Sequence, residues 1–204
     1  MKKLPQSFYL RNDVTLIAQK LIGKKLVSYI NGKLTSGIIV ETEAYSGKND
    51  KACHSHLNKK TQRTKIMYEN GGLAYVYLCY GIHHLFNIVT NQKNHADAVL
   101  IRAIEPQEGI DLMSERRNYP RPKYRISSGP GCMSEAMGIQ KTHYGTDLTG
   151  NLIWIEESKY ANFKIASTPR IGVDYAEEDA LLPWRYLVKD NPWVSAKNAF
   201  NDSK

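Results

Sequence analysis

The stretch KLVSYINGKLTSGIIVETEAY, residues 25–45, constrains the fold more than any other part of the chain. Two runs of β-branched and aromatic residues flank Asn31-Gly32, the pair best suited to a type I′ turn, so the runs are expected to pair antiparallel. GGLAYVYLCYGIHHLFNIVT repeats the pattern around Gly81, DAVLIRAIEP adds a strand, and NLIWIEE and FKIASTPRIG read as late ones. Helical patterning is sparse. In NDVTLIAQKLIGKKL, Asn12 or Asp13 can cap an apolar stripe of Val14, Ile17, Ala18, Leu21 and Ile22, and Gly23 can stop it. PQEGIDLMSERR and PGCMSEAMG read as short helices. The lack of strand–helix alternation argues against a parallel sheet. The expected fold is α+β, a single mixed domain over residues 1–204 around a curved antiparallel β-sheet with peripheral helices.

The chain carries 28 basic and 20 acidic residues, a net charge of +8, which suggests a polyanionic partner. Its apolar runs fall far short of the ~20 residues that a membrane helix needs. The start MKKLPQSFYLRND has lysines but no apolar segment behind them, so a cytoplasmic protein is expected, nucleoid-associated in a bacterium. Cys53, Cys79 and Cys132 are widely spaced, as reduced thiols are.

VETEAYSG, from Val40 to Gly47, ends a β-branched run in two carboxylates. Strand periodicity places Glu41, Glu43 and Tyr45 on one face and Val40, Thr42 and Ala44 on the other. A buried carboxylate must be paired, hydrogen-bonded or functional. The pair is therefore either a solvated strand end with an arginine partner or a general base beside an aromatic platform. In LAYVYLCYGIHHLFN, Tyr75 and Tyr77 share a face, while Tyr80 sits at the turn with Gly81. Tyr80 can cover a core edge or act as a wedge between base pairs. Asn87 can read a base edge or satisfy a turn. Arg102, inside an apolar strand, can pack its stem and pair with Glu41, Glu105 or a phosphate.

Two features point to phosphate. Ser128, Gly129 and Pro130 resemble a helix start whose amides can hold an anion or water. Arg116, Arg117, Arg121, Lys123 and Arg125 lie in or beside the proline-rich stretch RNYPRPKYRISSGPG, either a solvated loop or a phosphate-contacting arm. Cys53, His54 and His56 crowd together, with His83 and His84 later, but neither HExxH nor paired CxxC occurs. No metal and no cofactor is expected.

ETEAY, then AxHS at Ala52–Ser55, YVYxxYG, Asn87 and LIRAIEP, in this order, resemble the alkyladenine (3-methyladenine) DNA glycosylases, the methylpurine glycosylase fold. SSGPG, TPRIGV and NPWVS extend the resemblance from about residue 10 to 195. It implies Glu43 as the base that activates water, with Arg102 supporting the water and the nearby backbone. It further implies that Tyr45 and His54 hold a flipped base, Tyr77 closes the pocket and Ala52–His54 main chain reads the base edge. Asn87 screens purines, Tyr80 fills the hole in the duplex, and Arg125, Ser128 and Gly129 meet the DNA. The chain departs from the family at Cys132, where a lysine is usual, and at His83 and His84.

Removing a base requires taking it out of the stack, and an oxocarbenium-like state favours a nearby carboxylate that can deprotonate water. The expected activity is release of 3-methyladenine, 7-methylguanine, hypoxanthine or ethenoadenine from double-stranded DNA by a monomer, without strand cleavage. The alternatives are a non-catalytic nucleic-acid-binding module that stacks bases on its tyrosines and a metal-dependent hydrolase built on the His/Cys cluster.

Overall fold

A computed structural model describes residues 2–119 and 124–195 of the protein. Among the described residues the sheet has eight strands, with β3-β4-β5-β2-β1-β6 side by side and β7-β8 joined through β2. These are β1 (Lys25–Ile30), β2 (Lys33–Tyr45), β3 (Ala74–Cys79), β4 (His83–Thr90), β5 (Asp97–Glu108), β6 (Ile153–Glu156), β7 (Ile165–Thr168) and β8 (Arg185–Val188). All the pairings are antiparallel. Among the described residues four short α-helices flank the sheet: α1 (Gln6–Tyr9), α2 (Val14–Leu21), α3 (Ile110–Arg116) and α4 (Pro130–Ala136). The α+β class and the antiparallel sheet expected from the patterning are therefore present.

The 13 residues of β2 organise the molecule. Its first half pairs with β1, as the Asn31-Gly32 turn dictates, with Ile30 opposite Lys33 and both turn residues at positive φ. Its second half meets β8 on that side, with Glu41 opposite Leu187 and Glu43 opposite Arg185. β5 pairs along the other side from Ser36 to Tyr45. The end of β2 is thus flanked on both edges, and its carboxylates are covered by the Arg102 and Arg185 side chains and by the backbone at Ile171 and Ser195. Register shifts leave Arg102 between Ala103, opposite Glu41, and Ile101, opposite Thr42. Such an irregularity re-aims a side chain, here that of Arg102.

The opposite face of β2 forms core. Val40 and Ala44 pack with Val14, Ile17, Ala18 and Leu21 of α2, and the Thr42 hydroxyl donates to the Ala18 carbonyl at 3.0 Å. Burying one such aliphatic side chain contributes ~1.5–3 kcal/mol. Asp13 caps α2 by accepting from the Thr15 and Leu16 amides, and Gly23 follows at φ 82°. Two elements carry no pattern long enough to read from sequence: the one-turn helix α1 and the four-residue strand β8. The three cysteines are free thiols. Arg121 and Lys123 of the basic stretch lie outside the described residues.

Candidate active site

Alternation along β2 brings Glu41, Glu43 and Tyr45 to the Arg102 guanidinium. Glu41 and Glu43 have no solvent exposure, so the strand end is not solvated. Oε1 of Glu41 accepts from Nε of Arg102 at 2.9 Å and from Nε of Arg185 at 2.6 Å. The hydroxyl and amide of Ser195 complete the Glu41 shell at 2.9 and 2.6 Å. Burial pushes the Glu41 carboxyl up, but the two guanidiniums together with the Ser195 hydrogen bonds outweigh it and hold the group below the usual carboxylate range.

Glu43 is held differently. Its Oε1 accepts from the Ile171 amide at 2.7 Å, while Oε2 meets the Tyr45 hydroxyl at 2.8 Å and Nη1 of Arg102 at 3.2 Å. Two hydrogen bonds and one ion pair hold this carboxylate. Arg102 therefore ties the two carboxylates together, with Glu41 closed inside an ion-pair cluster.

Beside them lies a cavity of about 250 Å³, lined by Tyr45, Ala52, His54, Tyr77, Tyr80, Asn87 and Arg102 among others. Glu43 stands behind this lining, next to Tyr45, Arg102 and Ile171. The cavity walls are aromatic. The His54 ring meets Tyr77 edge-on at 4.7 Å, Tyr77 lies 5.4 Å from Tyr75, and Nδ1 of His54 is 2.8 Å from the Tyr75 hydroxyl. Burial, helped by the charge of Arg63, lowers the His54 pKa to about 4, so its ring is neutral at pH 7. The Asn87 amide nitrogen donates to the Tyr75 and Leu85 carbonyls at 3.1 and 3.4 Å, which fixes the side chain against the cavity. A neutral aromatic slot with fixed polar groups can hold a planar heterocycle.

The β3–β4 hairpin carries the rim. Ile82 N–H donates to the Cys79 carbonyl at 3.1 Å, and the two residues between them, Tyr80 and Gly81, have φ of 50° and 75°. This turn projects Tyr80, which is 91% exposed. Further along the surface, Arg125 is exposed within the turn Tyr124–Ile126, and Gly129 precedes α4 at φ 103°. The Ser128 hydroxyl is committed to the Val194 carbonyl at 3.1 Å. Cys132 lies 3.1 Å from Nη2 of Arg117. Among the described residues, no three His, Cys, Asp or Glu side chains group as metal ligands.

Several partners of the site had no role assigned from sequence. Ile171 acts through its main-chain amide, which leaves no side-chain signature. Arg170 holds the loop after Tyr45 by pairing with Asp50, and it donates to the Ala44 carbonyl and lies 4.9 Å over the Tyr45 ring. Arg185 and Ser195 close around Glu41 from the far end of the chain. TPRIGV and NPWVS were the available signals for Arg170, Ile171 and Ser195. Arg185 sits in the short strand β8, which carried none.

The model of the methylpurine-DNA glycosylase (MPG) family matches residues 7–192. A Chlamydia felis protein to which 3-methyladenine DNA glycosylase activity is ascribed is 50% identical over 186 residues, 91% of this chain and 95% of its own. A protein of Alkaliphilus oremlandii with the same ascription is 48% identical over 203 residues, 96% of this chain and 100% of its own. One from Desulfitobacterium hafniense is 40% identical over 205 residues, 97% of this chain and 100% of its own.

Proposed function

The chain belongs to the methylpurine-DNA glycosylase family and is a DNA glycosylase, and from that premise we propose that it releases damaged purines, 3-methyladenine above all, from double-stranded DNA. The observation that carries this reading is Glu43, held by Ile171, Tyr45 and Arg102 at the back of an aromatic cavity. Residues 1–204 act as one monomeric glycosylase domain.

In this reading Tyr80 enters the duplex and fills the place of the extruded nucleotide, while Arg125, Ser128 and Gly129 meet the backbone. The base enters between Tyr45, His54 and Tyr77 with its edge toward the Ala52–His54 main chain, and Asn87 excludes purines that carry the wrong exocyclic group. The bond from sugar to base breaks with the electron pair leaving on the base, and positive charge builds on the sugar. The Glu43 carboxylate stabilises that charge and takes a proton from the water that attacks the sugar carbon. Arg102 orients Glu43. An N-alkylated purine already carries positive charge and leaves without a strong acid. Hypoxanthine, 7-methylguanine and ethenoadenine are the further candidate substrates.

Among the described residues that line the cavity there is no lysine to form a Schiff base, which supports base release without strand cleavage. The test is to incubate dimethyl-sulfate-treated duplex with the protein, identify the free bases by chromatography, and run the strands with and without alkali. Free 3-methyladenine with breaks only after alkali supports the reading. Breaks without alkali would contradict its hydrolytic half, and tight binding without release would favour the non-catalytic binding module.

A further inference from the structure

The tip of the β3–β4 hairpin and the start of α4 border two openings. Cys79, Tyr80 and Pro130 help line the aromatic cavity, whereas Ile82, His83, His84 and Gly131 help line a groove of about 780 Å³. Arg116, Glu135, Gly138, Gln140 and His143 form other parts of its wall. Two glycines let its basic side chains lie against the backbone. A Cβ at Gly131 would stand 2.9 Å from Cγ of His83, and one at Gly138 would stand 2.8 Å from Cζ of Arg116. Gly138, which follows α4, also has φ 71°.

The groove holds a cation without a counter-charge. Nη1 of Arg116 donates to the Ala136 carbonyl at 2.9 Å and to the Thr35 hydroxyl at 3.3 Å, both neutral. The charge of the adjacent Glu115 acts on this guanidinium, but none of the ion pairs among the described residues includes Arg116. Glu135, which also lines the groove, is already paired with Arg117. The Gln140 amide donates to Nδ1 of His143 at 2.9 Å, so the neutral ring keeps its proton on Nε2. Burial lowers the His143 pKa against the Gln140 hydrogen bond, and the charge of His84 adds to the lowering, so at pH 7 this ring is a neutral N–H donor. The ring nitrogens of His83 and His84 make no hydrogen bond among the described residues. A half-buried guanidinium with no carboxylate partner, set among imidazole N–H groups, matches the oxygens of a phosphate.

We propose that this groove is a second DNA-contact site, in which Arg116, His84 and His143 hold a backbone phosphate of the duplex beside the hairpin that carries Tyr80. This role rests on the glycosylase reading above for its ligand, and not on which base is released. The hairpin forms a wall of both openings, so a duplex met by its tip brings backbone phosphates to the groove while the damaged base enters the cavity.

The experiment measures binding to a hypoxanthine duplex and to its undamaged counterpart over a range of KCl concentrations, for wild type, Arg116→Gln and His84→Phe, each after a thermal melt. A second series replaces single phosphates of the duplex by neutral methylphosphonates. Arg116→Gln is expected to make the log–log salt dependence shallower by about 0.9, one phosphate contact. His84→Phe keeps a flat ring and removes the donor, and is expected to weaken binding on the order of tenfold. At the held phosphate, the methylphosphonate should weaken binding by the wild type and have no further effect on either variant; the strand carrying that position shows whether the lesion strand or its complement fills the groove. If the melt shows Arg116→Gln to be unfolded, His84→Phe in the methylphosphonate series decides. Losses that add at every position, or an unchanged salt slope in folded Arg116→Gln, would overturn the proposal. So would histidine resonances of the groove that respond to inorganic phosphate and not to duplex, the mark of a free-anion site. Binding is read directly, so an absence of base release by the wild type would overturn the glycosylase reading and leave the result at the groove distinct from it.

Discussion

The Tyr45 hydroxyl donates to Oε2 of Glu43 at 2.8 Å, although the two residues are only two positions apart on one strand. Strand alternation aims both at the same space, so the aromatic wall of the cavity also orients the carboxylate behind it. Burial, then the adjacent Glu43 charge, pushes the Tyr45 phenol well above its usual range, so it remains a donor at any working pH. Tyr45→Phe keeps the ring and removes the donor. Single-turnover base release should fall on the order of tenfold, the effect of one charge-assisted hydrogen bond. An unaltered rate would mean that Tyr45 serves the base alone.

Glu41 is expected to matter for stability first. Glu41→Gln leaves Arg102 and Arg185 facing a neutral amide in a site without solvent exposure. Breaking a buried ion pair from one side costs about 3–5 kcal/mol. Denaturant titration should show a loss of that size, and a loss below about 1 kcal/mol would contradict the buried-cluster description.

Tyr80 should show stability and function moving in opposite directions. Its φ of 50° is unfavourable for an L side chain and natural for glycine. Tyr80→Gly should raise stability by about 0.5–1 kcal/mol, the relieved strain less the greater freedom of glycine in the unfolded chain. Release from damaged duplex should fall more than release from single strands. Equal losses on the two substrates would remove the wedge role.

How much of this was legible in the sequence differs element by element. Asn31-Gly32 and Gly81 announced their hairpins because positive-φ turns have narrow chemistry. ETEAY announced a shared face because alternation is a local rule, and the burial of that face was not local. It arises because Arg102, Arg185, Ile171 and Ser195 close over it from distant positions, and a four-residue strand such as β8 has no periodicity to read. Among the residues of the cavity, the aromatic ones stood out by type. Ile171 supplies an amide, which every residue except proline has, and Tyr175 reaches Ala52 across 123 positions. Contacts of that kind are fixed by the tertiary path of the chain and have no local pattern.

His54 sets an acid limit. Its folded pKa lies at about 4, whereas an exposed histidine titrates near ~6.5. Over that window the unfolded chain binds a proton and the folded one does not, so the contribution of His54 to stability is fully present above pH ~6.5 and is lost as pH falls toward 4. Unfolding midpoints measured between pH 7 and 4 should fall more steeply in the wild type than in His54→Gln. Parallel curves would show that His54 titrates as an exposed histidine.

The most direct test of the account is single-turnover release from a duplex containing hypoxanthine or ethenoadenine, in EDTA, by wild type and Glu43→Gln, with lesion binding measured on the same samples. The amide keeps the shape and loses the base. The account predicts that binding persists while release falls by about 10²–10⁴-fold. Release at the wild-type rate by Glu43→Gln would contradict the role assigned to Glu43 as the water-activating base.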